Sequence, residues 1–281
     1  MNRFDHFILT RFNLNVAYAE PETRLDPAWL HHRFELFDTV CYPSIHRQST
    51  QNFKWLVFFD ADTPNTFKKK VEEYARWNKF VAVYISTRTE EYDRSMIDTI
   101  MTHISDGVEL IVTTRLDNDD ALGVRFVEIL HRIVMDKSDN EPEAINFTSG
   151  YIWNRSNGKL YRTKYPSNQF ISFVESTKKI RTVYCEAHTW FSNIAPVREI
   201  ATVLLWLQVV HEKNVSNWVH GVRTPVKGLT NFALRAAIPP QNDRLSCYTE
   251  RGRDSLKRTV KRLAPGLLER LRAWQERQRP N

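Results

Sequence analysis

Short apolar runs rich in β-branched and aromatic residues alternate with helix-like stretches through the first half of the chain, and few folds accommodate that order. The runs are His6–Thr10 (HFILT), Trp55–Phe59 (WLVFF), Phe80–Ile85 (FVAVYI) and Glu109–Thr113 (ELIVT). Trp29–Val40, Phe67–Trp77 and Arg94–Ile104 lie between them with apolar residues at helical spacing, as at Met96, Ile97, Ile100, Met101 and Ile104. Strands separated by crossover helices predict an α/β domain whose sheet is buried on both faces. Past residue 140 the texture changes. Ala144–Trp153 and Lys159–Lys164 read as a hairpin joined around Asn157-Gly158, a type I′ signal, and the apolar run Val203–Val210 follows a further strand over Thr182–Phe191. The second half therefore contributes antiparallel strands, giving a mixed sheet flanked by helices.

With 281 residues, 42% hydrophobic and 26% charged, the chain can bury one sizeable core. No stretch approaches the roughly 18 uncharged apolar residues that span a bilayer, and the start lacks the pattern of a secretory leader. Cys41, Cys185 and Cys247 form no CxxC pair. A reducing cytoplasmic location is expected. The net charge of +7 is local: residues 251–279 carry ten Lys or Arg against Asp254, Glu269 and Glu276, which leaves the rest near neutral. Charge confined to a tail points away from nucleic acid and toward an anionic lipid surface or acidic partner. Leu256, Val260, Leu263, Leu267, Leu268 and Leu271 add an apolar stripe to that tail, broken at Pro265-Gly266. Residues 1–248 are thus read as the folded domain and 249–281 as a basic amphipathic helical tail, suited either to peripheral attachment at the inner membrane face or to packing on the domain.

Chemistry concentrates in IVTTRLDNDDAL, residues 111–122. Asp117, Asp119 and Asp120 follow a strand and precede the helical stripe Leu122, Phe126, Ile129, Leu130 and Ile133, at the sheet edge where open α/β folds bind ligands. Their carboxylates suit Mn²⁺ or Mg²⁺, whose remaining positions a diphosphate and water would fill. One of Asp119 and Asp120 can instead cap the next helix, but capping needs a single acid and three in four positions repel each other. Arg115 supplies a cation for a phosphate oxygen or for orienting an aspartate, and as a lone arginine equally suits a surface ion pair. Asp60 and Asp62, after WLVFF, repeat the spacing without a third acid, and Asp62-Thr63-Pro64 is also turn and helix-start chemistry, with Asp62 or Thr66 as cap.

HFILTRFN, CYPSIHRQSTQNFKWLVFFD, TRLDNDDAL and WLQVVHEKNVSN together make residues 4–230 resemble the bacterial "putative rhamnosyltransferase" family of GT-A glycosyltransferases, TRLDNDDAL being the most specific element. The resemblance implies a GT-A fold, a nucleotide-sugar donor and a metal motif of the DxD type at Asp117 and Asp119. It also implies a C-terminal histidine in the metal shell, which falls on His211, with His220 a weaker substitute. Thr10, Arg11 and Asn13 would lie under the nucleotide, with Arg88 or Arg94 near the diphosphate. It leans toward inversion. His46, Arg47 and Gln48 form a further polar group of undefined role.

Inverting transfer needs a base for the acceptor hydroxyl. In YCEAHTWF, residues 184–191, Glu186 and His188 alternate on the predicted strand, with Glu186 the preferred base. Tyr151, Trp153, Tyr161, Trp190 and Phe191 offer flat faces for an acceptor sugar, or else fill the core. The expected activity is a hexosyl transfer, rhamnosyl if the family's name is followed, to a saccharide or lipid-linked acceptor in bacterial surface polysaccharide synthesis. Two other classes fit parts of the pattern: a metal-dependent nucleotidyl or phosphoryl transferase, although no GxxxxGK[ST] loop exists, and a non-enzymatic module that binds membranes through the tail.

Overall fold

The computed structural model describes residues 3–14, 21–86, 92–201, 204–213, 218–237 and 246–252. In chain order the elements are β1 (Phe4–Arg11), α1 (Pro21–Leu25), α2 (Pro27–Leu36), α3 (Tyr42–His46), β2 (Lys54–Asp60), α4 (Asn65–Ala75), β3 (Phe80–Ile85), α5 (Tyr92–Met101), β4 (Leu110–Arg115), β5 (Ala121–Leu122) and α6 (Phe126–Met135). There follow β6 (Glu143–Phe147), β7 (Ser149–Asn154), β8 (Lys159–Lys164), β9 (Ser172–Ser176), β10 (Val197–Ile200), β11 (Trp206–Val210) and β12 (Val222–Thr224).

A seven-stranded sheet runs β10-β6-β9-β4-β1-β2-β3. Its β3-β2-β1-β4 portion is parallel, β9 is antiparallel to both β4 and β6, and β10 returns parallel to β6. The expected mixed α/β sheet flanked by helices is what forms. Its apolar runs are continuous because each strand feeds two cores: Trp55, Val57 and Phe59 pack on one face and Leu56 and Phe58 on the other. Each fully buried side chain of this size stabilises by about 1.5–3 kcal/mol. A buried polar chain crosses the first core, from His131 on α6 through His6 and Thr114 to Ser172.

Helix α2 starts at Asp26, whose carboxylate accepts the Trp29 N–H at 2.7 Å, with Pro27 in the first turn. It continues into α3 through a π-type turn, Phe37–Cys41. The wider turn carries Cys41 under the acidic loop, where its thiol donates to the Asp117 carbonyl at 3.6 Å.

The second half departs from the pattern read in the sequence. Ala144–Trp153 is not one strand. It divides at Thr148 into β6, in the large sheet, and β7, in a second sheet of order β12-β8-β7-β11-β5. Gly150 follows the break, and a Cβ there would lie 2.1 Å from the Trp206 ring, so the indole occupies the space a side chain would need. The β7–β8 turn is also not type I′. Asn154 pairs with Lys159 around four loop residues, of which Gly158 alone has positive φ (68°), while Asn154 Oδ1 accepts the Asn157 N–H at 3.3 Å. Type I′ needs positive φ at both central residues. Thr182–Phe191 forms turns rather than a strand, because Thr182 has a φ of 66° and the Glu175 carboxylate accepts the N–H groups of Arg181 (3.0 Å) and Thr182 (2.8 Å).

At the C-terminal side, Glu250 pairs with Lys159 (2.7 Å) and Arg223 (3.5 Å), so the first residues assigned to the tail touch the small sheet. Residues 253–281 lie outside the described residues. Cys41 and Cys247 are buried, Cys185 is exposed and all three are free thiols. Among the described residues no helix is long and apolar enough to cross a membrane.

Candidate active site

Three strand ends and one helix build the site. The loop from β4 to β5 carries the acids, and β5 pairs antiparallel with β11, matching Leu122 to Trp206 and Ala121 to Leu207. That register brings the end of β11 over the loop, so His211 Nε2 lies 3.0 Å from Asp119 Oδ2 although 92 positions separate them. The Lys213 N–H donates to His211 Nδ1 at 3.2 Å, which leaves the ring proton on Nε2, facing the carboxylate. His32 on α2 also approaches that Nδ1, at 3.2 Å, and Arg33 forms a buried ion pair with Asp119. Burial opposes the charge on Asp119, but Arg33 and His211 outweigh it and hold the carboxyl below its usual range.

The other two acids differ. Asp117 is half-buried beside Arg115, with Nη2 at 3.3 Å and 3.5 Å from its oxygens. Asp120 turns inward, accepting the Val209 N–H at 2.8 Å and the Gln169 amide at 3.2 Å. Burial, then the charges of Asp119 and Asp117, push its carboxyl well above the usual range. It serves the loop's framework rather than the open side of the site. None of the three caps the following helix, whose N-cap is Arg125.

Arg11 ends β1 and Arg115 ends β4, on adjacent parallel strands that pair Leu9 with Arg115. Both guanidiniums lie over the Tyr184 ring, at 4.2 Å and 5.5 Å from its centroid, and the Tyr184 hydroxyl donates to the Leu9 carbonyl at 3.2 Å. Two cations at the carboxyl edge of a parallel sheet suit a phosphorylated ligand.

The remaining candidates scatter. Thr10 is fully buried and its hydroxyl accepts the Trp55 indole N–H at 2.9 Å, a core role. Asn13 is buried as well, tying the Asp60 N–H (3.1 Å) to Thr63 (3.0 Å) and the Arg24 carbonyl. Asp60 pairs with Arg24 at 2.9 Å and accepts the Asp62 N–H, and α4 begins after Pro64 without a side-chain cap from Asp62 or Thr66. Arg94 is exposed on α5 beside Asp98. Arg88 lies outside the described residues. His220 stacks on Trp218 and meets Tyr165 edge-on, and His46 stacks on Tyr42 and lies tilted against Trp77. Arg47 is exposed, while Gln48 joins α3 to the acidic loop through the Ser44 and Gly123 carbonyls. Tyr151, Trp153 and Phe191 are core residues, Tyr161 is partly buried and Trp190 is exposed. Glu186 folds its carboxylate back onto the Ala187 N–H at 2.7 Å, whereas His188 donates through Nδ1 to the Ser167 carbonyl.

Sequence reasoning missed Arg33, His32, Tyr184, Ser167 and Gln169. Arg33 borders the buried Leu30 and Phe34 on α2, a weak sign that its head group turns inward, and the other four carry no local signal.

For a divalent cation the donor chemistry of Asp117, Asp119 and His211 is suitable, hard oxygens with one imidazole. The 3.0 Å between Asp119 and His211 is a hydrogen bond in which Nε2–H faces the carboxylate, so a cation held by both would have to displace that proton. Among the described residues no group of three or more His, Cys, Asp or Glu is placed so that together they could hold a metal ion.

A mixed α/β fold with acids and arginines gathered at its carboxyl edge defines a transferase-type site. The chain belongs to the family described as "Putative rhamnosyl transferase", which it matches over residues 2–223, and it is a glycosyltransferase. Solved structures similar to it include the 4-diphosphocytidyl-2C-methyl-D-erythritol synthase from Anaerococcus prevotii, 15% identical over 70% of this chain and 87% of that one, with a TM-score of 0.37. Others are a "putative nucleotide-diphospho-sugar transferase" from Desulfovibrio desulfuricans (10%, 74% and 82%, 0.35) and HddC from Yersinia pseudotuberculosis (9%, 73% and 88%, 0.31). None of the three is close enough in shape to lend its activity to this chain. No curated protein matches the sequence.

Proposed function

We propose that this glycosyltransferase moves a hexose from a nucleotide-sugar donor, held through Mn²⁺ or Mg²⁺ at Asp117, Asp119 and His211, to a saccharide or lipid-linked acceptor with inversion. The observation that carries the reading is the meeting of Asp119 and His211 beside Asp117, at the edge where Arg11 and Arg115 converge. When bound, the cation would supply Lewis-acid stabilisation of the departing diphosphate. Arg11 and Arg115 would hold the phosphate oxygens, and Tyr184 would keep their guanidiniums parallel. The family's name makes rhamnose the first donor sugar to try. Surface polysaccharide is the product class that such an acceptor suggests. The basic tail is assigned to the cytoplasmic face of an anionic membrane, where lipid-linked acceptors lie.

The test incubates the protein with Mn²⁺, a panel of nucleotide-sugars and glycan acceptors, and follows nucleoside diphosphate release together with product mass. The double variant Asp117→Ala plus Asp119→Ala should fold, by circular dichroism, and lose transfer by at least about 100-fold. Full transfer by that variant, or release of pyrophosphate in place of nucleoside diphosphate, would sink the reading. Sedimentation of the full chain, but not of a chain lacking 253–281, with phosphatidylserine vesicles tests the tail.

A further inference from the structure

Two loops lie against the strand ends that carry the acidic cluster, the segment from β9 to β10 and residues 165–169 between β8 and β9. On one side the Val183 N–H donates to Thr113 Oγ1 at 2.9 Å and the Tyr184 ring carries Arg11 and Arg115. On the other, residues 165–169 reach the cluster through Gln169 and Asp120. The fully buried Asn168 fixes that second loop, donating to the carbonyls of Phe147 (2.9 Å) and Tyr165 (2.8 Å) and to Asn146 Oδ1 (2.6 Å). His188 bridges the two loops: its Nδ1 meets the Ser167 carbonyl.

A backbone carbonyl can only accept, so Nδ1 must carry the ring proton and Nε2 is left with a lone pair. Ser167 thus selects the tautomer that a proton acceptor needs. Burial lowers the histidine pKa from its ordinary value, which keeps the ring neutral near pH 7, and the charges of Arg115 and Asp117 both act on it. Glu186, two residues earlier, has one carboxylate oxygen engaged with its own neighbour's N–H.

We propose that His188 is the general base of the transfer, Nε2 receiving the acceptor hydroxyl's proton while the Ser167 carbonyl holds Nδ1–H. The step rests on the inverting glycosyltransferase reading above. The acceptor oxygen forms its bond to the anomeric carbon, and the bond from that carbon to the diphosphate oxygen breaks. Its electron pair leaves with the nucleoside diphosphate, and the proton passes from the hydroxyl to Nε2 and then to water. The Nδ1–H to carbonyl bond stabilises the imidazolium that results.

Two measurements test this. Histidine-ring ¹⁵N spectra of the intact protein, with His188 assigned by its loss in His188→Gln, should show Nδ1 protonated and Nε2 bare. A protonated Nε2 overturns the proposal whatever the activity. In transfer assays His188→Gln, whose amide can still donate to Ser167, should lower kcat by about 10²–10⁴-fold with donor KM changed less than about twofold, while Glu186→Gln stays near wild type. Undiminished transfer by His188→Gln, or a comparable loss in Glu186→Gln, overturns His188 alone. Absence of transfer by the wild-type chain overturns the functional reading itself.

Discussion

Replacing Arg33 by methionine isolates the strongest charge contact of the site. Its guanidinium and the Asp119 carboxylate are 13% and 8% exposed, so the pair is nearly sealed from water. At an effective dielectric of about 20, unit charges roughly 3 Å apart attract by about 5 kcal/mol, and desolvation offsets part of this. Removing one member leaves the other charge buried, which typically costs about 3–5 kcal/mol. His211 still donates to Asp119 in the variant, so the expected loss lies near the lower figure, about 3 kcal/mol. Methionine keeps apolar packing against Trp29, over which the guanidinium lies at 5.0 Å. Urea unfolding of wild type, Arg33→Met, Asp119→Asn and the double variant gives the coupling directly. The double variant should recover more than half the loss of Arg33→Met. Added Mn²⁺ should raise the Tm of Arg33→Met by more than that of wild type, because a bound cation would restore the positive charge that Asp119 lacks. A destabilisation below about 1 kcal/mol, or strict additivity of the two single changes, would refute the reasoning.

Acid should loosen the fold through its buried histidines. Burial lowers the pKa of His131 to about 4 and that of its neighbour His6 well below the usual histidine value, so the unfolded chain binds more protons below pH 6.5. Stability then falls as pH drops from about 6.5 to 4, by about 3 kcal/mol for His131 alone, and melts of His131→Gln should show a shallower decline. A slope unchanged in that variant counts against the assignment. Gly150→Ala should cost at least about 3 kcal/mol in urea unfolding, since the methyl meets a rigid, fully buried indole, and pairing it with Trp206→Leu should cost less than the sum of the two. Additive losses would show that the clash is relieved elsewhere.

The sheet was legible because its inner parallel strands β1, β2 and β4 are buried on both faces and so read as unbroken apolar runs, each ending at a polar turn. The runs read as ending at Phe59 and Thr113 end in the structure at Asp60 and Arg115, one and two residues later. The second half was less so. β6 and β7 form one apolar run in sequence and part only because Gly150 lets Trp206 through, a contact between residues 56 positions apart. The turn over 182–191 looked like a strand because Tyr184, Glu186 and His188 alternate with smaller residues, but local alternation carries no information about Glu175, whose carboxylate takes two of that segment's N–H groups. Of the nucleotide-site candidates, Arg11 and Arg115 come together on Tyr184, whereas Thr10 and Asn13, equally polar and within two residues of the same strand end, are consumed by Trp55, Thr63 and Asp60. Residue type and strand position alone do not separate these two fates.

The three aspartates illustrate the same limit at shorter range. Their mutual repulsion in the sequence argued for a shared ligand, since nothing nearby except Arg115 could offset it. Folding offers a second resolution, which is to give each acid a different surrounding. Asp117 keeps Arg115 and a half-open position, Asp119 takes Arg33 and the N–H of His211, and Asp120 is driven toward its neutral form between Val209 and Gln169. Asp117 and Asp119 thus each have an arginine beside them. A dication arriving with a diphosphate of matching charge would then enter a site that is already near neutral. Arg33 would become surplus on Asp119 at that moment, while Arg115, with Arg11 beside it, faces the phosphates. On this account the arginines are as much a part of the site's design as the acids, and only Arg115 among the acids' partners lies close enough in sequence to have been read with them.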